Sequence, residues 1–448
     1  MLRPVHAYAH GMFRLLQPAD NTWRRYVPVL AVALFAVVLM IRLAPQVQDA
    51  HENADGAAGS DFKIAVYGPN VLVSEGRNPW DADNSVPRFG DAPASPILPS
   101  SYTLHPLLTR LGYPNSLTAF IILSALVVAF GTRSICRSIG LGFYTSLVIA
   151  LIVSLSTTER YNIALGQTGA ALIAAMAFFA VRHAPVRRWW HVAEQFLHGA
   201  TILVFFAKPT FALAFLAADL AYSRTMRTFV RAAAVVIAVG GLHLLWMAHD
   251  TGVGLGGLVR SIRVSADFLL TQPLQRLSGD RTDLLNLLTQ STVVDVLALA
   301  VCAAALVWLN RLRSTTLFER LLLGTTMLTA LTYHHIYDTL PLVTLLLACI
   351  LLWPWPSATA VAAGLVITGQ VRTFGFLSRR IQDLIGIDWF ALQARLVFFV
   401  CVGVTALALL QIRRRDAPVT ADQQTTETLP MLLRSSWSRR RSREVPNV

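Results

Sequence analysis

The sequence predicts an all-α polytopic membrane protein of about 11–13 spanning segments, and three observations predict it. The 448 residues are 54% hydrophobic and only 14% charged, a balance that soluble domains rarely reach. Apolar runs able to cross about 30 Å of hydrocarbon recur from end to end. Short alternating strands of the barrel type are absent, and a backbone in lipid must satisfy its own hydrogen bonds, so the runs are read as helices.

The runs lie near residues 27–45, 116–132, 142–157, 168–182, 196–222, 228–248, 293–309, 320–334, 338–353, 356–371 and 394–412. The first follows a short leader, residues 1–26, and lacks a small-x-small cleavage site, so it is read as a retained anchor. The run 196–222 is interrupted by Lys208 and Pro209. A plain span carries neither a charge nor a helix breaker at its middle, so two short helices forming a hairpin are expected there.

Sidedness follows from the basic residues. The leader carries Arg3, Arg14, Arg24 and Arg25, and alternate loops carry Arg133 with Arg137, then Arg182, Arg187 and Arg188. These read as cytoplasmic. The hairpin at Lys208 keeps the alternation through Arg224, Arg227 and Arg231, Arg311, Arg313 and Arg320, and finally Arg413 to Arg415, so both termini are expected inside. Arg372, Arg379 and Arg380 fall outside against the rule, as a miscounted loop or a functional basic patch. Two larger outer loops, 46–115 and 250–292, complete a single membrane domain over 27–412, followed by a basic tail over 413–448 that is expected to be disordered.

The net charge of +13 does not point to nucleic acid, because the basic residues sit in short blocks between apolar runs and in the tail. Membrane lipids are the expected partners, with Arg439, Arg440, Arg441 and Arg443 facing headgroups or solvent. Four scattered cysteines give neither a disulfide framework nor a zinc spacing.

With sidedness fixed, the polar residues that are odd for such a chain gather on one side. Asp61, Tyr102, His105, Gln167, Lys208, His334, His335, Asp338 and Arg372 all fall at outer span ends or in outer loops. A transporter needs polar groups near mid-membrane and access from both faces. An enzyme acting on a membrane-borne substrate needs them at one face.

"DFKIAVYGPNVLVSEGRNPW" spaces Phe62, Ala65, Val66 and Leu72 as a short amphipathic helix along the outer interface, with Asp61 near its N-terminus. Asp61 is then a capping residue or a general base. "GRNPW" reads as a turn followed by an interface-type tryptophan, Trp80. Gln167, at the start of a span, either satisfies backbone groups or binds a sugar hydroxyl. "LTYHHIYDTLPL" sets His334, His335 and Asp338 in a short outer turn; adjacent histidines point to different helix faces, so phosphate or sugar binding is favoured over a metal. Lys208 in an apolar run asks for an anion such as a lipid phosphate, and Arg372 suits the same ligand.

The order of these motifs resembles the polyprenyl-phosphate-dependent membrane glycosyltransferases of family 87, which have the GT-C architecture and include bacterial mannosyltransferases. The resemblance rests on "SDFKIAVYG", "EGRNPW", "SYTLHPLL", "LGQTGA", the Lys208-Pro209 pair and "YHHIYD", and covers about residues 27–412. It implies that Asp61 is the catalytic base and that the region of His334 and His335 helps hold the donor phosphate, the ligand that the charges of Lys208 and Arg372 already suit. Tyr67, Tyr102, His105, Gln167 and Asp338 become candidates for the sugar and the acceptor. Tyr102 is followed by Thr103, Leu104 and His105 where the family has two prolines, and Thr168-Gly169 replaces a family asparagine. Sugar and acceptor therefore stay open.

The implied reaction moves a sugar from a polyprenyl phosphate to a glycolipid or glycan of the envelope, outside the cytoplasmic membrane. The leaving group already carries charge, so fixed cations suffice and no cofactor or metal is expected. One base with displacement from the opposite face predicts inversion, since retention would ask for a second close carboxylate. The rival reading is a lipid-linked sugar flippase or other transporter.

Overall fold

The computed structural model describes residues 23–53, 59–81, 83–84, 105–167, 169–181, 226–271, 315–331, 336–370 and 389–416, with a few positions between 297 and 308. Every regular element among them is helical. The chain divides into Met1–Thr405, which holds the bundle, and Ala406–Val448, whose described part is the end of the last helix.

The first helix, α1 (Trp23–Glu52), has exposed apolar side chains along its length, among them Leu34, Met40 and Ile41. Helix α5 (Tyr113–Ser138) exposes Leu123 and Phe130, and α14 (Trp389–Asp416) exposes Phe399. Such surface on long apolar helices marks contact with hydrocarbon. The spans Tyr26–Glu52, Tyr113–Ser138 and Leu392–Arg415 are long and apolar enough to cross a membrane.

Between α1 and α5 most of the described residues are helical. They form α2 (Ser60–Phe62), a π-helical turn over Lys63–Tyr67, α3 (Gly68–Ser74) and α4 (His105–Leu111). The wider turn is closed by the Gly68 N–H donating to the Lys63 carbonyl, five residues back. Such turns insert a residue into an otherwise regular helix and recur at functional sites.

After α5 come α6 (Phe143–Ser154), α7 (Thr157–Leu165) and α8 (Gly169–Val181). Then follow α9 (Met226–Asp250), α10 (Gly254–Thr271), α11 (Leu317–Leu331), a 3₁₀ turn over Ile336–Thr339, α12 (Leu340–Leu352) and α13 (Trp355–Ile367).

Helix α5 packs closely on α8, because Gly131 leaves room for Ile173, whose Cγ2 a Cβ at 131 would meet at 2.6 Å. Small residues at a crossing let membrane helices approach and gain dispersion contacts. Threonines tie helices together inside the bundle: the buried Thr132 and Thr344 lie 3.5 Å apart, and the buried Thr326 lies 2.8 Å from the half-buried Thr405. The Lys208 hairpin lies outside the described residues.

Trp80 corrects one expectation. It is 2% exposed, packed with Val73, Met247, Ala248 and Leu258, so it is a core residue between α3 and the α9–α10 pair and not a headgroup anchor. Asn78 explains the difference: it accepts from the Trp80 N–H at 3.1 Å and donates to Ser261 Oγ of α10 at 2.8 Å, which folds the turn inward.

Candidate active site

Asp61 sits in the first turn of α2, half-buried, beside the buried Phe62. The N-cap is Gly59, in the left-handed region at φ 65, and it makes no side-chain cap. Its N–H donates to the Ala164 carbonyl of α7 at 2.9 Å, and its own carbonyl accepts from the Tyr113 hydroxyl at 3.2 Å. Those bonds pin the turn that presents Asp61 between α5 and α7.

The Asp61 carboxylate accepts, at Oδ2, a hydrogen bond from Nε2 of Gln167. Gln167 is aimed by the turn that ends α7. Gly166 adopts φ 72, and a Cβ there would press into Phe62, whose backbone N lies 3.1 Å from that position. The Gln167 N–H donates to the Asn162 carbonyl at 2.7 Å, and Asn162 Oδ1 accepts from the Gly169 N–H at 3.2 Å. Asn162 therefore clamps both sides of "GQTG", and Gln167 serves the carboxylate directly instead of capping a helix.

Tyr67 stands one aromatic layer away. Its ring lies edge-on to Tyr113 at 5.2 Å between centroids, and Phe62 packs on Phe120 at 4.8 Å. Burial pushes the Tyr67 hydroxyl upward from its ordinary value, so it stays a neutral donor. Lys63, next to this wall, holds its Nζ 5.6 Å from the centre of the Tyr113 ring.

Asp338 lies at the other end of α7, in the 3₁₀ turn, and is 1% exposed. Its neighbour Thr339 meets Thr158 at 3.3 Å between hydroxyls, and Gln370 Nε2 donates to Thr339 Oγ1 at 3.5 Å. Thr158 in turn donates to Gln370 Oε1, and Thr157 donates to the Gly369 carbonyl at 3.1 Å. Helix α7 thus joins the turn carrying Asp338 to the turn carrying Gln167 and Asp61.

Asp61 and Gln167 are brought into direct contact, Tyr67 adjoins them through the aromatic wall, and Asp338 is connected through α7. His105 opens α4. Tyr102, Lys208, His334, His335 and Arg372 lie outside the described residues.

Sequence reasoning missed α7 itself, and with it Thr158, Glu159 and Asn162. The available signal was Ser156-Thr-Thr-Glu159, the start signature of a helix. Ser156 Oγ does accept from the Glu159 N–H at 3.2 Å. Glu159 is fully buried; desolvation raises its carboxyl well above the ordinary 4.5, partly opposed by the charge of Arg42 on α1.

Residues 99–333, just over half of the chain, match the family model described as glycosyltransferase family 87. The matched stretch includes Glu159, Gln167 and Lys208, ends just before His334 and begins after Asp61. No curated protein and no solved structure gives a significant match. A helical membrane-type bundle, the glycine-flanked Gln167 turn and a match over these residues agree with one assignment: the chain belongs to glycosyltransferase family 87.

Proposed function

We propose that this glycosyltransferase is an inverting enzyme that moves a sugar, mannose or another hexose or pentose, from a polyprenyl-phosphate donor to an envelope glycolipid or glycan. The reaction runs at the outer face of the cytoplasmic membrane, in a GT-C-like domain over about residues 27–412 with both termini inside. The observation that carries the reading is the grip of Gln167 on Asp61.

A general base needs a fixed direction as well as a suitable proton affinity. Gln167 supplies direction by holding Oδ2, and the hydrogen-bonded turn at Gly59 holds the backbone below it. In the step, Asp61 takes the proton of the acceptor hydroxyl while that oxygen bonds to the anomeric carbon. The bond from that carbon to the phosphate oxygen breaks, and the electron pair leaves with polyprenyl phosphate. Lys208, His334, His335 and Arg372 are assigned to the charge growing on that phosphate. Tyr67, Tyr102, His105, Gln167 and Asp338 are assigned to the sugar and the acceptor.

The test is Asp61→Asn in membranes carrying equal amounts of protein, supplied with a labelled polyprenyl-phosphate sugar. Transfer falls by about 10²–10⁴-fold if Asp61 is the base. Near-normal transfer removes it from the role.

A further inference from the structure

Helix α10 starts at a corner. Thr251, Gly252 and Val253 join it to α9, and Gly252 and Gly254 both adopt the left-handed region, at φ 66 and 72. Residues of that conformation end a helix and turn the chain away from it. The Thr251 N–H donates to the Met247 carbonyl at 2.9 Å and the Gly252 N–H to the His249 carbonyl at 3.1 Å, so α9 is closed before α10 begins.

Three strips run along α10. Leu258, Ser261, Ile262 and Ser265, spaced three and four apart, are buried or half-buried and turn inward. Leu258 and Ile262 pack in the cluster of Trp80 and Met247, and Ser261 Oγ accepts from Asn78. Leu255 and Val259, one turn apart, form a second strip and are 43% and 52% exposed. Arg260 and Val264, again one turn apart, form a third exposed strip, about 140° around the axis from the second.

Isolated apolar side chains are ordinary on a protein surface. This strip is not isolated, because exposed apolar residues continue along the chain from Leu242 and Leu245 of α9 through Val253 at the corner. Leu242 and Leu245 belong to the apolar run 228–248, whose exposed face suits hydrocarbon. Helix α10 itself does not suit the hydrocarbon interior, since Arg260 and Arg263 are exposed near its middle and a guanidinium there asks for water or an anion. An apolar strip on one side and cations on the other match the layer where acyl chains meet headgroups. Phosphate is the anion of that layer, and a guanidinium fits it.

We propose that α10 is an interfacial helix docked on the bilayer surface, with Leu255 and Val259 among the upper acyl carbons and Arg260 at a lipid phosphate. Its inward strip then seats the Asn78–Trp80 turn, which follows α3 and the Asp61 segment. This docking does not depend on which sugar the protein transfers or whether it transfers one.

The test places a bimane fluorophore on Leu255→Cys, Val259→Cys and Val264→Cys, one at a time, in the full-length protein in phosphatidylcholine nanodiscs. The native cysteines Cys136, Cys302, Cys349 and Cys401 are buried, and labelled wild type supplies the background. Fluorophores at 255 and 259 are expected about 5–10 Å below the phosphate level. Phosphatidylcholine with a doxyl group on its acyl chain then quenches them, and iodide does not. At 264 the order reverses. Iodide quenching at 255 and 259 equal to that at 264 overturns the docking and leaves the strip as a surface for a protein partner. A second measurement addresses Arg260. Doxyl-labelled phosphatidylglycerol is expected to quench the fluorophore at 259 more than doxyl-labelled phosphatidylcholine does, because anionic lipid collects beside a fixed cation. Arg260→Gln is expected to lower that preference about fivefold. An unchanged preference takes the arginine out of the headgroup layer and overturns the phosphate contact.

Discussion

Gln167 donates from Nε2 to Oδ2 of Asp61 across 106 positions of sequence. The turn that opens α2 and the turn that ends α7 are thereby closed on one carboxylate. The amide is neutral, so it orients the acid without neutralising it.

Replacing that amide separates orientation from charge. Gln167→Ala is expected to lower the turnover rate by about 10–100-fold with the protein still folded, as a lost positioning contact does. Gln167→Glu sets a second carboxylate against the first, and like charges share a proton. The acid limb of its pH-rate profile is expected to move to higher pH. A limb that stays in place would separate Gln167 from the base.

Gly166 carries a steric prediction. A left-handed residue with a side chain costs about 1–2 kcal/mol, and Gly166→Ala also drives a methyl into Phe62. Thermal unfolding should show the lost stability, and sugar transfer should fall further than that loss explains because Phe62 adjoins Asp61. Transfer that stays at the wild-type level would show that the turn does not aim the base.

The Thr158 hydroxyl is shared by Thr339 and Gln370. Thr158→Val leaves both partners buried with one contact fewer, a loss of about 1–3 kcal/mol, whereas Thr158→Ser keeps the hydroxyl. The expected order of melting temperatures is wild type, then serine, then valine. Equal melting of the serine and valine variants would show that the methyl group, not the hydroxyl, holds this junction.

Glu159 predicts a pH dependence of stability. Its folded-state carboxyl is raised above the ordinary 4.5 by burial, so the folded protein holds its proton more tightly than the unfolded chain does. The associated stability is fully present below pH 4.5 and is lost as pH rises toward the folded-state value. Glu159→Gln cannot ionise and should flatten this part of the stability curve. Parallel curves for wild type and variant would mean that the carboxyl titrates alike folded and unfolded.

Much of this was readable from the chain. Long apolar runs announce helices because lipid allows little else. Asp61 stood out as a carboxylate at the start of an amphipathic stretch after the first apolar run, and Gln167 as an amide at the start of a later run. Helix α7 did not stand out. "TTERYNIAL" has no clear apolar stripe, and it is helical because Ser156 caps one end, Gly166 closes the other and neighbours bury Glu159, Asn162 and Ile163. The burial of Glu159 depends on how distant helices close over α7, which no local spacing encodes. Trp80 was misread for a related reason: its shelter comes from α9 and α10, more than 160 residues away.

The widened turn at Lys63–Tyr67 has one more implication. Removing a single residue from it would restore ordinary winding and swing Asp61 about 100° around the axis relative to α3. The shortened chain would have the tidier helix and a carboxylate aimed away from its amide. A protein lacking Ile64 should therefore insert and fold yet transfer no sugar, because an irregular stretch of winding, one residue too long, is what points the acid.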